Sequence, residues 1–198
     1  MKTFNKAYKY RFYPTDEQKE LLAKTFGSVR FVWNNILDWR SKEYTQNQTK
    51  INYSASSAKL TKLKSEFVWL NEISSVALQQ TLRDQDRAFI IFFAKRAEYP
   101  VFKKRHHRQS FRLVSNGFTF KDGNLTIAKS KTPLNIKWSR KLNGTPSSIT
   151  VSKDGSDRYF VSLLVEEAIE PKSILTKSVG IDVGLTDFAI TSDGIKYK

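Results

Sequence analysis

Residues 179–185 read VGIDVGL and place a single acidic residue, Asp182, inside an apolar run that is flanked by glycines. The run from Ser178 to Val183 has the composition of a buried strand. An ionised carboxylate on such a strand is costly unless a cation or hydrogen-bond donors offset its desolvation. The sequence therefore predicts that Asp182 is either a metal ligand or a strand-end residue held by backbone donors.

A second alternating run, residues 188–191, and a turn at Asp193-Gly194 follow this segment and predict the opening strands of a sheet. Mg²⁺ prefers oxygen ligands, and two-metal chemistry uses several carboxylates. Asp187 and Asp193 are better explained as turn residues than as ligands. Few residues lie between Asp182 and Lys198, so we expect any metal site around Asp182 to be incomplete in this chain.

The charge balance points to a polyanionic partner. The 198 residues carry a net charge of +15, and 13% of them are aromatic. Such an excess of basic residues favours nucleic acid as the partner. The excess is concentrated between Lys95 and Arg112, where Phe102 and Phe111 could add base stacking to phosphate contacts. The alternative is a solvated charge run beside aromatic core residues.

Eight residues are predicted to contact nucleic acid because they are cationic or lie on the same helix face as a cation. Arg30 and Asn34 are one helical turn apart and could face a phosphate or a base edge together. Structural capping or a buried polar contact explains the two residues equally well. The eight residues are Arg11, Arg30, Asn34, Lys103, Lys104, Arg105, Arg108 and Arg112.

The chain contains no cysteine, which excludes disulfides and thiolate zinc sites within it. The N-terminus has no signal-peptide core, and the longest apolar stretch, residues 88–94, is too short to span a bilayer. We therefore expect a cytoplasmic protein with no membrane partner.

Periodicity predicts a mixed α+β fold. A strand at residues 7–13 precedes a capping box formed by Thr15 and Gln18, so a helix should begin at Asp16. Gly27 is predicted to divide or bend that helix. Further helices are expected at 54–63 and 74–97, the latter followed by Pro100. Strands are expected at 110–120, 125–128, 134–138, 148–152 and 159–166, with turns at 122–123 and 154–155 and a linker at 170–173.

Four motifs in a fixed order resemble the TnpB (OrfB) family of proteins encoded by bacterial insertion sequences, which are related to type V CRISPR nucleases. The opening motif, residues 10–34, contains YRFYP, Gly27 and RFV, and resembles the family segment described as a helix-turn-helix. The helical motif includes residues 69–70, 78–79, 88–89 and 92–93. The basic motif covers 100–104 and 109–112, and residues 180–185 resemble the first RuvC motif.

The resemblance implies a wedge-like β-barrel that is interrupted by a helical recognition insertion and followed by the first strands of an RNase H-like (RuvC) domain. On this basis residues 1–14 are the first strand of the wedge module and 15–99 the helical recognition region. Residues 100–168 complete the wedge module, and 169–198 are a linker and the start of the nuclease domain.

The resemblance also implies RNA-guided cleavage of DNA, with DNA and a guide RNA as partners. Asp182 would be the first of three acidic ligands of a catalytic Mg²⁺ site. The later acidic motifs and the zinc-binding cysteines of the family have no counterpart in this chain. We therefore expect a truncated member that binds nucleic acid, holds no zinc and does not cleave alone.

Two alternatives stay open at this point. A separate C-terminal polypeptide could complete the RuvC domain and give an active nuclease. The N-terminal helices could instead belong to a sequence-specific DNA-binding regulator of the helix-turn-helix class.

Overall fold

The computed structural model of the chain describes residues 2–169, 176 and 178–198. These residues form two compact units, one of residues 3–168 and one that contains residues 169–198 together with the first two residues. The predicted linker at 170–173 lies outside the described residues. Among those residues, no helix is both long enough and apolar enough to cross a membrane.

The larger unit contains three α-helices, a short 3-10 turn and seven strands. The helices are α1 (Asp16–Asn47), α2 (Tyr53–Glu66) and α3 (Ser75–Phe93), with the 3-10 turn at Val68–Asn71 between α2 and α3. The strands are β1 (Lys2–Tyr13), β2 (Gln109–Val114), β3 (Phe118–Lys121), β4 (Asn124–Ile127), β5 (Asn135–Lys137), β6 (Ser148–Lys153) and β7 (Tyr159–Ile169).

Five of these strands form one sheet in the order β2-β6-β7-β1-β5, and β3 and β4 form a separate hairpin. The first strand of the chain therefore lies near one edge, beside strands that follow the helices in sequence. The mixed α+β class is confirmed. The expected closure into a barrel is not found, because within the described residues β2 and β5 are the two open edges of the sheet.

The capping box is present as predicted. The Gln18 backbone N–H donates to Thr15 Oγ1 at 3.3 Å, and the Thr15 N–H donates to Gln18 Oε1 at 3.1 Å. Gln18 is buried, and its amide also donates to the carbonyl oxygens of Thr132 and Pro133. The cap therefore starts α1 at Asp16 and ties its first turn to the loop before β5.

Of the two alternatives predicted for Gly27, a division of the first helix into two is wrong. Helix α1 runs without interruption for 32 residues, so residues 15–49 contain no turn between two helices. One apolar face continues through Leu22, Phe26 and Val29 on both sides of the glycine, and all three side chains are buried. Packing along that face offsets the low helix propensity of one glycine.

The core lies between the sheet and the helices. Phe26 of α1 meets Phe111 of β2 with ring centroids 5.3 Å apart, and Leu78 and Leu82 of α3 are buried in the same cluster. On β1, Tyr8, Tyr10 and Phe12 alternate with exposed residues, as the period-two pattern predicts. Burial of these apolar faces joins helices and sheet into one unit.

Two predicted boundaries in this unit are wrong. Helix α3 ends at Phe93 instead of Ala97, because the chain reverses there through Lys95, which has φ of 57°. The single strand expected at 110–120 is two strands, β2 and β3, separated by a turn at 115–117. The predicted turn at Asp122-Gly123 joins β3 to β4, with φ of 49° and 77° at the two residues.

The smaller unit contains three short strands, β8 (Ile181–Asp182), β9 (Ala189–Thr191) and β10 (Lys196–Tyr197), in the order β10-β9-β8. The predicted buried strand at 178–183 is wrong. It is two residues long, and Val179, Ile181 and Val183 are each more than half exposed, at 54%, 64% and 69%. A three-stranded sheet of this size has too little packed surface to bury both of its faces.

We predict that Gly27→Ala stabilises the protein. A Cβ at Gly27 meets no atom within 4 Å, and alanine in a helix interior is favoured over glycine by about 1 kcal/mol. Urea unfolding followed by circular dichroism should show a higher midpoint with an unchanged slope. Gly123→Ala is the control, since φ of 77° there strains any side chain and should lower the midpoint. A lower midpoint for Gly27→Ala would contradict the prediction.

Candidate nucleic-acid interface

The predicted basic segment, residues 95–112, is held against α1 by hydrogen bonds between α1 side chains and the backbone of the segment. Trp33 Nε1 donates to the carbonyl oxygen of Val101 at 3.0 Å. Asn34 makes a reciprocal pair with Lys103: its Nδ2 donates to the Lys103 carbonyl at 3.0 Å, and its Oδ1 accepts from the Lys103 N–H at 2.8 Å. The buried Gln85 of α3 donates in turn to the Trp33 carbonyl at 2.9 Å. The irregular backbone of residues 101–103 therefore has hydrogen-bond partners on α1, which is itself tied to α3.

Five of the eight predicted residues line two adjoining depressions beside this segment, which we call the basic cleft: Arg30, Lys103, Lys104, Arg108 and Arg112. The larger depression has a volume of about 240 Å³ and lies between α1, α3 and β2. Lys103 and Ser110 line both depressions. The sequence prediction thus identified residues that the fold brings together from three different elements.

One carboxylate lies inside the cleft. Asp84 of α3 accepts a hydrogen bond from Nη2 of Arg112 on β2, which forms an ion pair between helix and sheet. Burial raises the pKa of the Asp84 carboxyl, while Arg112 and Lys103 oppose that shift. The net charge of the cleft is positive because this single carboxylate faces several cations.

Lys103 is a partly buried cation of the cleft. Its ammonium is 4.3 Å from the centroid of the Trp33 ring, a cation–π geometry. Burial lowers the pKa of Lys103, and attraction to Asp84 counteracts part of this effect. The site therefore holds a positive charge at an energetic cost, which is typical of functional positions.

Lys104, Arg105 and Arg108 are exposed on the outer side of the segment. Among the residues that the structure describes, none of the three forms an ion pair with a carboxylate. Their charges are available to phosphates. Such contacts cost little desolvation energy, because the side chains remain partly hydrated at the surface.

Arg11 lies apart from the cleft. It is exposed on β1, with its guanidinium 5.1 Å from the Tyr13 ring, in a depression that also includes Lys19 and Arg158. The structure therefore brings seven of the predicted residues to one region, counting Arg105 and Asn34 beside the cleft, and leaves Arg11 outside it.

Asp182 is exposed on β8, in the smaller unit. Asp187 of the same unit is 3.5 Å from the ammonium of Lys196 and serves as its ion-pair partner. Within the described part of the chain, no three His, Asp or Glu side chains are grouped closely enough to hold a metal ion. The residues present do not fit the Mg²⁺ site that the RuvC motif implies.

Sequence reasoning missed Asp84, Gln85 and Trp33 as parts of the interface. Periodicity places Trp33 on the apolar helix face and does not reveal the separate role of its indole N–H. Asp84 and Arg112 are 28 positions apart, and no spacing rule links them. The one available signal was that Asp84 and Gln85 interrupt the apolar face of α3.

The N-terminal part of the chain matches a known family. The family model HTH_OrfB_IS605, described as a helix-turn-helix domain, matches residues 1–49. In the structure this region consists of β1 and the continuous helix α1.

Three curated proteins are similar in sequence. A protein of Streptomyces pristinaespiralis named "Putative RNA-guided DNA endonuclease" is 46% identical over 99% of this chain and 50% of its own length. "Putative RNA-guided DNA endonuclease InsQ" of Escherichia coli K12 is 30% identical over 97% of this chain and 48% of its own length. "Virulence protein VsdF" of Salmonella dublin is 33% identical over 51% of this chain and 94% of its own length.

The chain thus spans about half the length of the two endonuclease relatives. Among solved structures, the Cas12f1 protein of a Cas12f1–sgRNA–target DNA complex aligns over 96% of this chain and 64% of its own, with 11% identity and a TM-score of 0.43. At that TM-score the superposition does not establish a shared fold.

We predict that Asn34→Ala loosens the basic segment. Its two hydrogen bonds to the Lys103 backbone are removed, which should lower the free energy of unfolding by about 1–3 kcal/mol. Amide hydrogen exchange at Lys103 should become faster, because its N–H loses its acceptor. Asn35→Ala, one residue further along α1, is the matched control. Equal exchange rates in the two variants would contradict the prediction.

We predict that Lys103→Met changes the pH dependence of stability. Because the pKa of Lys103 is lowered in the folded state, the folded protein releases this proton before the unfolded chain does as the pH rises. The wild type should therefore gain stability relative to Lys103→Met between neutral pH and the ordinary lysine value of 10.5. Urea titrations across that range measure the difference, and a constant difference would disprove the predicted shift.

Proposed function

Because the chain belongs to the TnpB (OrfB) family of insertion-sequence proteins, we propose that residues 3–168 are the nucleic-acid-binding part of an RNA-guided DNA endonuclease. The names of the two longer relatives support the class of activity. The observation that carries the proposal is the basic cleft, with exposed cations on a segment that α1 holds in a defined position.

The proposed partners are a guide RNA and a DNA target. Phosphate contacts come from three exposed residues: Lys104 and Arg108, which line the cleft, and Arg105 beside it. Lys103 and Arg112 lie deeper and suit a phosphate or a base edge that enters the cleft. We assign α1, α2 and α3 to the recognition region, and the five-stranded sheet to the wedge module of the family.

Catalysis is a separate matter from binding. We propose that Asp182 is an acidic ligand of a RuvC-type metal site, as its motif suggests. The described carboxylates do not form such a site, so we propose that cleavage requires carboxylates from outside the described residues. We expect the isolated 198-residue chain to bind nucleic acid without cleaving it.

A helix-turn-helix regulator is a weaker alternative. That mode places a second helix in the major groove after a short turn. Helix α1 is continuous over the region where such a turn would be required. A footprint on duplex DNA in the absence of RNA would favour the regulator over the RNA-guided protein.

We predict that binding to nucleic acid is steeply dependent on salt and is weakened by removal of the outer cations. Each neutralised phosphate should contribute about 0.9 to the slope of log affinity against log salt for duplex DNA, or about 0.7 for a single strand. The triple variant Lys104→Ala, Arg105→Ala, Arg108→Ala should reduce that slope by about one for each phosphate that is no longer neutralised. Fluorescence anisotropy between about 50 and 200 mM salt covers the informative range.

The matched control removes the same number of charges elsewhere. It is the triple variant Lys121→Ala, Lys129→Ala, Lys131→Ala. Lys121 lies on β3, the other two lie in the loop after β4, and all three residues are exposed. This variant should keep most of the wild-type slope. Binding that does not change with salt, or equal losses of affinity in the two triple variants, would overturn the proposal.

A further inference from the structure

An aromatic pocket lies at the far ends of α1 and α3, apart from the basic cleft. Its volume is about 610 Å³, which is within the range of small-ligand sites. The last turns of α3 supply Phe89, Phe92 and Phe93, and Tyr99 covers one side with its ring 5.2 Å from Phe92 and 5.5 Å from Phe89. The hydroxyl of Tyr99 is 2.8 Å from Ser41 Oγ of α1, which positions the ring.

The aromatic surface is open to solvent on one side. Phe93 is 59% exposed and Tyr99 is 42% exposed. Exposed aromatic rings that are grouped around a cavity present flat faces on which another ring can stack. Because these side chains line a cavity, the group differs from scattered apolar residues on a surface.

A buried arginine lines the same pocket. Arg40 of α1 is 9% exposed and stacks 4.4 Å from the Phe89 ring centroid. Its Nη2 donates to the Ile51 carbonyl at 2.6 Å and to Asp86 at 3.0 Å. Nη1 is buried and has no hydrogen-bond acceptor among the residues that the structure describes. Because Nη1 is also closed to solvent, Arg40 forms part of the wall of the pocket and does not present that donor to a ligand.

Two lysines border the pocket. Lys50 places its ammonium 5.9 Å from the Phe93 ring centroid, and Lys95 follows the end of α3. Lys95 occupies the left-handed position of a Schellman motif: its N–H donates to the Phe92 carbonyl at 2.8 Å, and that of Arg96 to Ile91 at 3.1 Å. Glycine is favoured at this position, so a lysine there is retained at a cost to stability.

We propose that this pocket binds an unstacked nucleobase of a single-stranded nucleic acid. The base stacks on Phe93 and Tyr99, and Lys50 and Lys95 contact the flanking phosphates. Aromatic platforms bordered by cations are a general means of binding single strands. The charge of +15 favours a polyanion over an apolar peptide as the occupant. This inference rests on the proposed nucleic-acid binding.

The test compares three labelled probes, a single-stranded RNA, a single-stranded DNA of the same sequence and the corresponding DNA duplex, by fluorescence anisotropy with the full chain. Phe93→Ala should weaken binding of at least one single strand about tenfold and leave the duplex unchanged, since stacking on an aromatic ring favours unpaired bases. The RNA and DNA arms show which strand supplies the base. Ile90→Ala is the matched control, because Ile90 is 60% exposed on α3 and does not line the pocket.

A second variant separates binding from folding. Lys95→Gly should raise the urea unfolding midpoint, because glycine fits φ of 57° without strain. The same variant should weaken single-strand binding about threefold or more, because it removes a cation that neutralises a phosphate. A variant that is more stable and binds less tightly cannot be explained by misfolding.

The outcomes distinguish the pocket from the basic cleft. If Phe93→Ala binds every probe as Ile90→Ala does, the pocket proposal is wrong and the cleft proposal stands. Equal losses of affinity for duplex and single strands would also overturn the pocket proposal. A wild-type chain that binds none of the probes would overturn both. If Phe93→Ala instead converts a dimer into a monomer in light scattering, the occupant is a second copy of the chain, which overturns the nucleobase proposal.

Discussion

The position of the basic segment depends on the polar ties between α1 and the backbone of residues 101–103. This irregular stretch belongs to no helix or sheet, so the side chains of Trp33 and Asn34 supply partners for its backbone N–H and C=O groups. The same helix starts at a capping box that is tied to the loop before β5, and its apolar face meets β2 through Phe26 and Phe111. A single helix thus orders both the core and the cationic surface.

The features that the sequence predicted well are those that local chemistry determines. The start of α1 follows from two hydrogen bonds between Thr15 and Gln18, and the β3–β4 turn follows from Asp122-Gly123. Alternation predicted which side of β1 is buried. The errors have tertiary causes: packing carries α1 through Gly27, and the segment around Asp182 is exposed although its composition is that of a buried strand.

The basic cleft was predictable in composition but not in geometry. Charge density singled out Lys103, Lys104 and Arg108, because clustered cations favour a polyanionic partner. It could not show that Asp84 partly neutralises Arg112, nor that Asn34 has both amide atoms engaged with the Lys103 backbone. Such pairings join positions that are distant in sequence, so only the folded chain reveals them. No sequence pattern singled out Arg40, for the same reason.

The length of α1 has a consequence for any nucleic acid that binds along it. Arg30 at the basic cleft and Arg40 at the aromatic pocket are ten residues apart on one unbroken helix. At a rise of about 1.5 Å per residue, this separates them by about 15 Å along the axis. The unbroken helix would then fix the distance that a nucleic acid must span to reach both the basic cleft and the aromatic pocket.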